Sequence, residues 1–155
     1  MYIFDTNAFS QLFHSYYRKR FPTLWVHFDE LIEDKLITST REALREIEDD
    51  RVESLREWAA DNKELFPSPS AEEAAFVALI FFNPHFQQVI EQKKFYKGGK
   101  NADPFLVARA ATLGGTVVTL EKEKPNGAKI PNICNYFGID CTSLEGFMEA
   151  EGWEF

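Results

Sequence analysis

The run Tyr2-Ile3-Phe4-Asp5-Thr6-Asn7 constrains this chain more than any other segment. A short apolar, β-prone stretch ends on a carboxylate, followed at once by a hydroxyl and an amide, so Asp5 stands where a buried strand passes into a loop. A bare carboxylate there is costly to desolvate unless a cation or hydrogen-bond donors compensate it. An Asx turn, or a cap for the following helix, would also use it. Three further acids occupy comparable places: Glu46 in the helix after a second strand, Asp103 at the start of a later helix and Glu121 just past a third strand. In an open parallel sheet, strand C-termini and helix N-termini face one crevice, and ligands bind there. Carboxylates delivered to that crevice predict a hard-cation site and, with it, phosphodiester chemistry.

The rest of the chain alternates strand and helix signals. Met1 to Phe4 is the first strand, and Phe9, Leu12, Phe13 and Tyr16 follow at helical spacing, predicting a helix over 8–17. Pro22 opens a second helix, with Leu24, Trp25, Phe28, Leu31 and Ile32 on one face. Leu36-Ile37-Thr38 is a short strand. Ser39 and Glu42 then fit a capping box for a long helix carrying Ala43, Leu44, Ile47, Leu55 and Trp58. After a Pro-Ser-Pro-Ser loop at 67–70, Ser70 and Glu73 repeat the box before a helix reaching Phe82, and another helix spans 85–96. Asp103 is an N-cap candidate with Pro104 at the first helical position, and Gly114-Gly115 ends that helix. Thr116 to Leu120 is a β-branched strand; a helix around 133–137, a strand near 139–142 and a helix from Leu144 complete the chain. This order predicts a doubly wound, three-layer α/β/α parallel sheet of four to five strands in a single domain over 1–155.

Composition narrows the function. With 155 residues the chain can bury a core without disulfide or metal staples, and its 15 Phe predict an aromatic one. Cys134 and Cys141 lack a metal-type spacing and read as thiols, while His14, His27 and His85 offer no paired zinc spacing. No apolar run is long enough to span a membrane and no basic leader precedes the first strand, so a cytoplasmic protein is expected. The net charge of −8 argues against non-specific coating of nucleic acid but not against a nuclease whose acids hold metal.

Each acid also has a structural reading. Asp103 before Pro104 is an ordinary cap. Glu46 flanks the Ala43/Ile47 stripe, whereas Glu42 points further away. Glu121 follows the strand directly but competes with Glu123 for the last position. Two carboxylates about 5 Å apart repel by about 3 kcal/mol at an effective dielectric near 20. Several in one cleft therefore hold protons or recruit a cation, and an all-oxygen donor set favours Mg²⁺ or Mn²⁺, one ion or two.

Three segments, Ile3-Phe4-Asp5-Thr6-Asn7, Ser39 to Ile47, and Ala102 to Ala110 leading into Thr116 to Glu121, in this order and spacing resemble the PIN-domain family. That family includes the VapC-type toxin ribonucleases of bacterial type II toxin–antitoxin pairs. The likeness extends over most of the chain and fits best a PIN-like branch with an enlarged helical middle, here between Val52 and Lys100. It implies a divalent-metal-dependent endoribonuclease leaving a 5′-phosphate and a 3′-hydroxyl. Asp5, Glu46, Asp103 and Glu121 are then the metal-holding catalytic acids, with Asn7 or Thr6 orienting the first carboxylate or a bound water. A cognate antitoxin and a homodimer are implied as partners. The last acid is Glu where Asp is commoner in the family.

For RNA contact, the stretch 93–100 combines charge with stacking surface: Lys93, Lys94, Lys97 and Lys100 are interleaved with Phe95 and Tyr96. Arg18-Lys19-Arg20 is a second basic segment. A non-catalytic PIN-like module binding RNA or protein is the alternative function. An aspartyl-phosphate phosphatase or receiver is disfavoured, because Asn7 stands where a second Asp is required.

Overall fold

The computed structural model describes residues 1–96 and 101–155, the side chains of 93–96 excepted. Four strands form one all-parallel sheet: β1 (Tyr2–Phe4), β2 (Ile37–Thr38), β3 (Thr116–Val118) and β4 (Cys141–Thr142), in the order β2-β1-β3-β4. Tyr2 pairs with both Ile37 and Thr116, so β1 lies in the middle and its side chains are covered on both faces.

The connections wind in two directions. From β1, α1 (Thr6–Ser15) and α2 (Pro22–Glu33) cross one face to reach β2. A long excursion through α3 (Arg41–Ile47), α4 (Glu53–Asp61), α5 (Ala71–Phe82), α6 (Pro84–Tyr96) and α7 (Asp103–Leu113) leads back to β3 on the far side of β1. α8 (Ile130–Phe137) then joins β3 to β4, and α9 (Leu144–Ala150) follows. The result is a three-layer, doubly wound α/β/α fold whose direction reverses between β1 and β3.

Each sheet face carries its own core. On the α1/α2/α9 face the core is aromatic: Phe4 meets Phe9 at 5.0 Å and Phe147 edge-on at 5.0 Å, and Phe13 meets Trp25 at 4.7 Å. On the α7/α8 face Ile3 and Val117 pack with Leu106, Val107, Ile130 and Ile133. Trp153 turns back onto Phe147 at 5.1 Å, so the end of the chain covers its own core. α7 stops at Gly114 in the left-handed region (φ 66°). Glycine at the next position lets the chain pass close to β1: a Cβ on Gly115 would stand 2.5 Å from the buried Ile3 Cδ1 and 3.0 Å from Met1 O.

Several local expectations are corrected. The helix expected to run from Ser39 through Trp58 is broken into α3 and α4, because Asp50 Oδ1 accepts from the Val52 N–H at 2.8 Å and the backbone turns there. Thr40, not Ser39, caps α3 by accepting from the Ala43 N–H; Ser39 Oγ instead donates to Phe4 O at 2.7 Å, tying β2 to the end of β1. Ser70 does cap α5, but the Glu73 carboxylate pairs with Arg109 rather than closing the box. The strand expected over 116–120 ends at Val118.

Arg109 on α7 joins three elements. Its guanidinium meets Glu73 of α5 at 2.9 Å and donates to Thr38 Oγ1 of β2 at 2.9 Å, with Glu73 only 3% exposed. Removing one member of a buried pair strands the other charge. Arg109→Ala should therefore lower unfolding stability by about 3–5 kcal/mol, read from denaturant unfolding, whereas an exposed-surface control such as Arg20→Ala should stay within about 0.5 kcal/mol.

Candidate functional site

Asp5 sits at the reversal point of the winding. Its N–H donates to Val118 O at 2.9 Å, so the residue continues the pairing of β1 with β3 while its side chain leaves the sheet edge. The carboxylate is only 4% exposed and has two neutral donors: Oδ1 accepts from the Thr6 N–H at 2.7 Å, and Oδ2 accepts from Thr119 Oγ1 at 2.7 Å. Asp5 is thus the N-cap of α1 as well as a candidate ligand.

The other predicted acids gather round it. Glu46 comes from the last turn of α3 and accepts from Thr6 Oγ1 at 3.0 Å. Glu121 lies just beyond β3, and its Oε2 accepts from the Ile130 N–H at 2.8 Å, placing a carboxylate at the start of α8. Asp103 is the first residue of α7 and is 1% exposed. It is not the cap expected from the sequence: Ala102 holds the cap position without a side-chain bond, and Asn101, one residue earlier, accepts from the Asp103 N–H at 3.1 Å. All three charges reach Asp5. Burial first, then the charges of Asp103, Glu121 and Glu46, push its pKa from 3.8 up to about 8 against the opposing hydrogen bond from Thr119. Glu121 therefore joins this group, while Glu123 is not among the groups acting on Asp5.

A cleft of about 550 Å³ opens over this group. Asp5, Glu46 and Glu121 line it; Asp103 does not, although it bears on Asp5 electrostatically. The break between α3 and α4 brings Asp49, Asp50 and Arg51 to the rim, and α1 contributes Ser10, Gln11 and His14. Neither set was expected from the sequence, because a continuous helix hides the first and helical periodicity marks the second only as a solvated face.

Thr119 is the member that sequence reasoning missed. Only 2% exposed, its hydroxyl donates to Asp5 and accepts from the Glu121 N–H at 3.1 Å, so one side chain orients two acids. Asn7 completes the floor: its Oδ1 accepts from the Leu120 N–H at 3.1 Å, holding the loop after β3 against the start of α1. The sequence placed Thr119 inside the strand; only the end of β3 at Val118 and its register with Phe4 set Thr119 opposite Asp5. Glu42, expected to point away, is buried beside Arg41 at 2.9 Å, with its second oxygen unpartnered among the described residues.

The model matching residues 2–155 is that of a family described as a domain of unknown function, DUF4411. The chain belongs to the DUF4411 family. No curated protein and no solved structure matches it. For this DUF4411 chain the acids at the cleft are therefore judged on their own chemistry. Among the described residues, no three His, Cys, Asp or Glu side chains already stand in metal-holding positions. Asp5, Glu46 and Glu121 are instead turned onto neutral donors within the protein. The all-oxygen donor set and the repulsion felt by Asp5 are the chemistry that a hard divalent cation suits.

Of the expected RNA contacts, Lys93, Lys94 and Tyr96 are in the last turns of α6, with side chains outside the description, and Lys97 and Lys100 lie outside the described residues altogether. Cys134 and Cys141 are free thiols, the first buried, joined by a hydrogen bond that raises the Cys134 pKa and lowers that of Cys141.

Between about pH 4 and 8 native Asp5 keeps a proton that the unfolded chain has lost, so stability falls as pH rises through that window. Asp5→Asn keeps the cap and removes the ionisation. In EDTA at pH 7.5 it should raise the melting temperature by about 3 °C or more, and it should flatten the pH dependence of melting below pH 8. Thr119→Val deletes the donor that lowers the Asp5 pKa and should extend the loss of stability with rising pH beyond pH 8, measured by the same melts.

Proposed function

We propose that this protein is a divalent-metal-dependent endoribonuclease. One observation carries the reading: a nearly inaccessible carboxyl at the winding reversal feels the charges of three other acids, each delivered by a separate element. Such a concentration of negative charge disfavours its own ionised state, and a Mg²⁺ or Mn²⁺ ion relieves it. Asp5, Glu46, Asp103 and Glu121 are the residues that would hold the ion. When bound, it supplies a water of lowered pKa and neutralises charge developing on the phosphate.

The protein's own groups do the rest. Thr119 and the Thr6 N–H fix the Asp5 carboxylate, so little reorganisation is needed at the reacting centre. Asn7 holds the Leu120 backbone and with it the approach to Glu121. Arg51, at the rim, meets the phosphate chain where the acidic interior would repel it. The biological role that follows is the toxin of a type II pair, acting in the cytoplasm and held by a cognate antitoxin, with a homodimer as the working unit. No helix among the described residues is long and apolar enough to cross a membrane.

A second reading is a non-catalytic module that binds RNA or protein. It is favoured by the Glu121 carboxylate, which in its present position serves the start of α8. The two part in one experiment. Purified protein incubated with mixed single-stranded RNA should cleave it with Mg²⁺ or Mn²⁺ and not in EDTA, leaving 5′-phosphate ends. Asp5→Ala and Asp103→Asn should each lower the rate by about a hundredfold or more. Binding without cleavage under any metal would establish the second reading.

A further inference from the structure

A second cleft, of about 710 Å³, lies at the other end of α1. Its walls come from the same neighbourhood as those of the acidic cleft. Phe13, Tyr16 and Tyr17 extend the α1 wall, and Ser54, Glu57, Trp58 and Asp61 of α4 continue the wall that Asp49, Asp50 and Arg51 begin. Ser54, Glu57, Trp58 and Asp61 have the spacing of one face of α4, and that face begins just after the Asp49–Arg51 turn at the acidic cleft, while Tyr16 and Tyr17 lie immediately beyond the end of α1. The two clefts are therefore neighbours along the α1–α4 boundary.

The chemistry changes along that line. At the acid end the groups are carboxylates and short hydrogen-bonding side chains. At the far end they are aromatic and cationic: Tyr17 is 63% exposed, and Lys19 and Arg20 stand exposed beside it. Arg18 is already committed, lying 4.2 Å from the Trp25 ring and paired with Asp29 at 2.8 Å, so it fixes the loop that presents Tyr17. Exposed rings with neighbouring cations take stacked bases and phosphates. Glu57 and Asp61 on the opposite wall repel phosphate but accept hydrogen bonds from base amino groups.

We infer that the α1–α4 groove is the path of a single-stranded RNA, running from the acid centre to a base-stacking and phosphate-binding subsite made by Tyr17, Lys19 and Arg20. This inference deepens the nucleolytic reading and rests on it for the direction of the path. The ten residues of α1 span roughly 15 Å, which at about 3.4 Å per stacked nucleotide is roughly four to five nucleotides. A duplex does not fit this scheme, because stacking on Tyr17 needs a base out of its own helix.

The test is fluorescence anisotropy in EDTA with a ten-nucleotide single-stranded RNA and the corresponding duplex, paired with cleavage assays in Mg²⁺. Wild type should bind the single strand more tightly. Tyr17→Ala should weaken the single-strand complex at least fivefold and leave the duplex one unchanged. Lys19→Ala with Arg20→Ala should weaken the single-strand complex likewise and lower its salt dependence. All three side chains are exposed, so folding is retained. Equal affinity of the variants and wild type for the single strand, equal loss for both forms, or no wild-type binding to either would overturn the path. If wild type cleaves and Tyr17→Ala cleaves the single strand equally well, the path fails and the nuclease stands. If nothing is cleaved but the single-strand-specific loss appears, the nucleolytic reading fails and the groove stands as an RNA-binding site.

Discussion

The burial of one carboxylate organises this protein. Asp5 is carried by the central strand, whose side chains are enclosed on both faces, and its backbone is held by Val118 across the sheet. It can be sheltered from water only because the Thr6 N–H and the Thr119 hydroxyl replace the solvent it loses. Those donors are neutral, so the charge stays costly, and nearby acids on α3, α7 and the loop after β3 raise the cost further. A fold does not maintain such an arrangement for stability. The conflict between a packed strand end and an acidic crevice is resolved by protonation in the isolated protein, and by a cation in the reading favoured above.

The enlarged middle of the chain follows from the same requirement. β2 and β3 flank β1, so the excursion between them must cross from one side of the sheet to the other, and α3 to α7 occupy that crossing. Arg109 makes the crossing rigid by linking α7 to α5 and β2. With that side clamped, Asp103 arrives at the crevice from α7 while Glu46 arrives from α3. The turn at Asp50 adds a wall, which makes an open sheet edge into a groove with two sides.

The larger pattern was legible in the sequence for physical reasons. Apolar runs with β-branched residues, helical spacing of Phe and Leu, and Gly or Pro at the boundaries report burial and backbone freedom directly, and apart from the helix that breaks into α3 and α4 the strands and long helices lie close to where they placed them. Asp5, Asp103 and Glu121 were legible because each follows a strand or opens a helix, and Glu46 because it flanks the apolar stripe of α3. What escaped was local hydrogen-bond choice. Ser39 and Thr40 are both good caps, and only the approach of Phe4 O decides which hydroxyl is diverted to the sheet. Asp103 enters α7 as its first residue and not as its cap, because the helix begins one residue earlier than Pro104 suggested and Asn101 accepts from the Asp103 N–H. Asp49 and Asp50 in a helical stretch gave no warning of a break, because helical aspartates are ordinary on exposed faces.

Sequence alone determined that strands and helices alternate, that the core is aromatic and that acids stand at strand and helix ends, because these follow from patterns within a few residues. Tertiary structure decided the strand order, the meeting of Asp5 with Glu46, Asp103 and Glu121, and the role of Thr119 between two of them. Those relations join residues as many as 116 positions apart, and no local propensity encodes a distance across a sheet. Only the packing of helices on both faces, which fixes how the strand ends line up, brings their carboxylates within reach of a common charge.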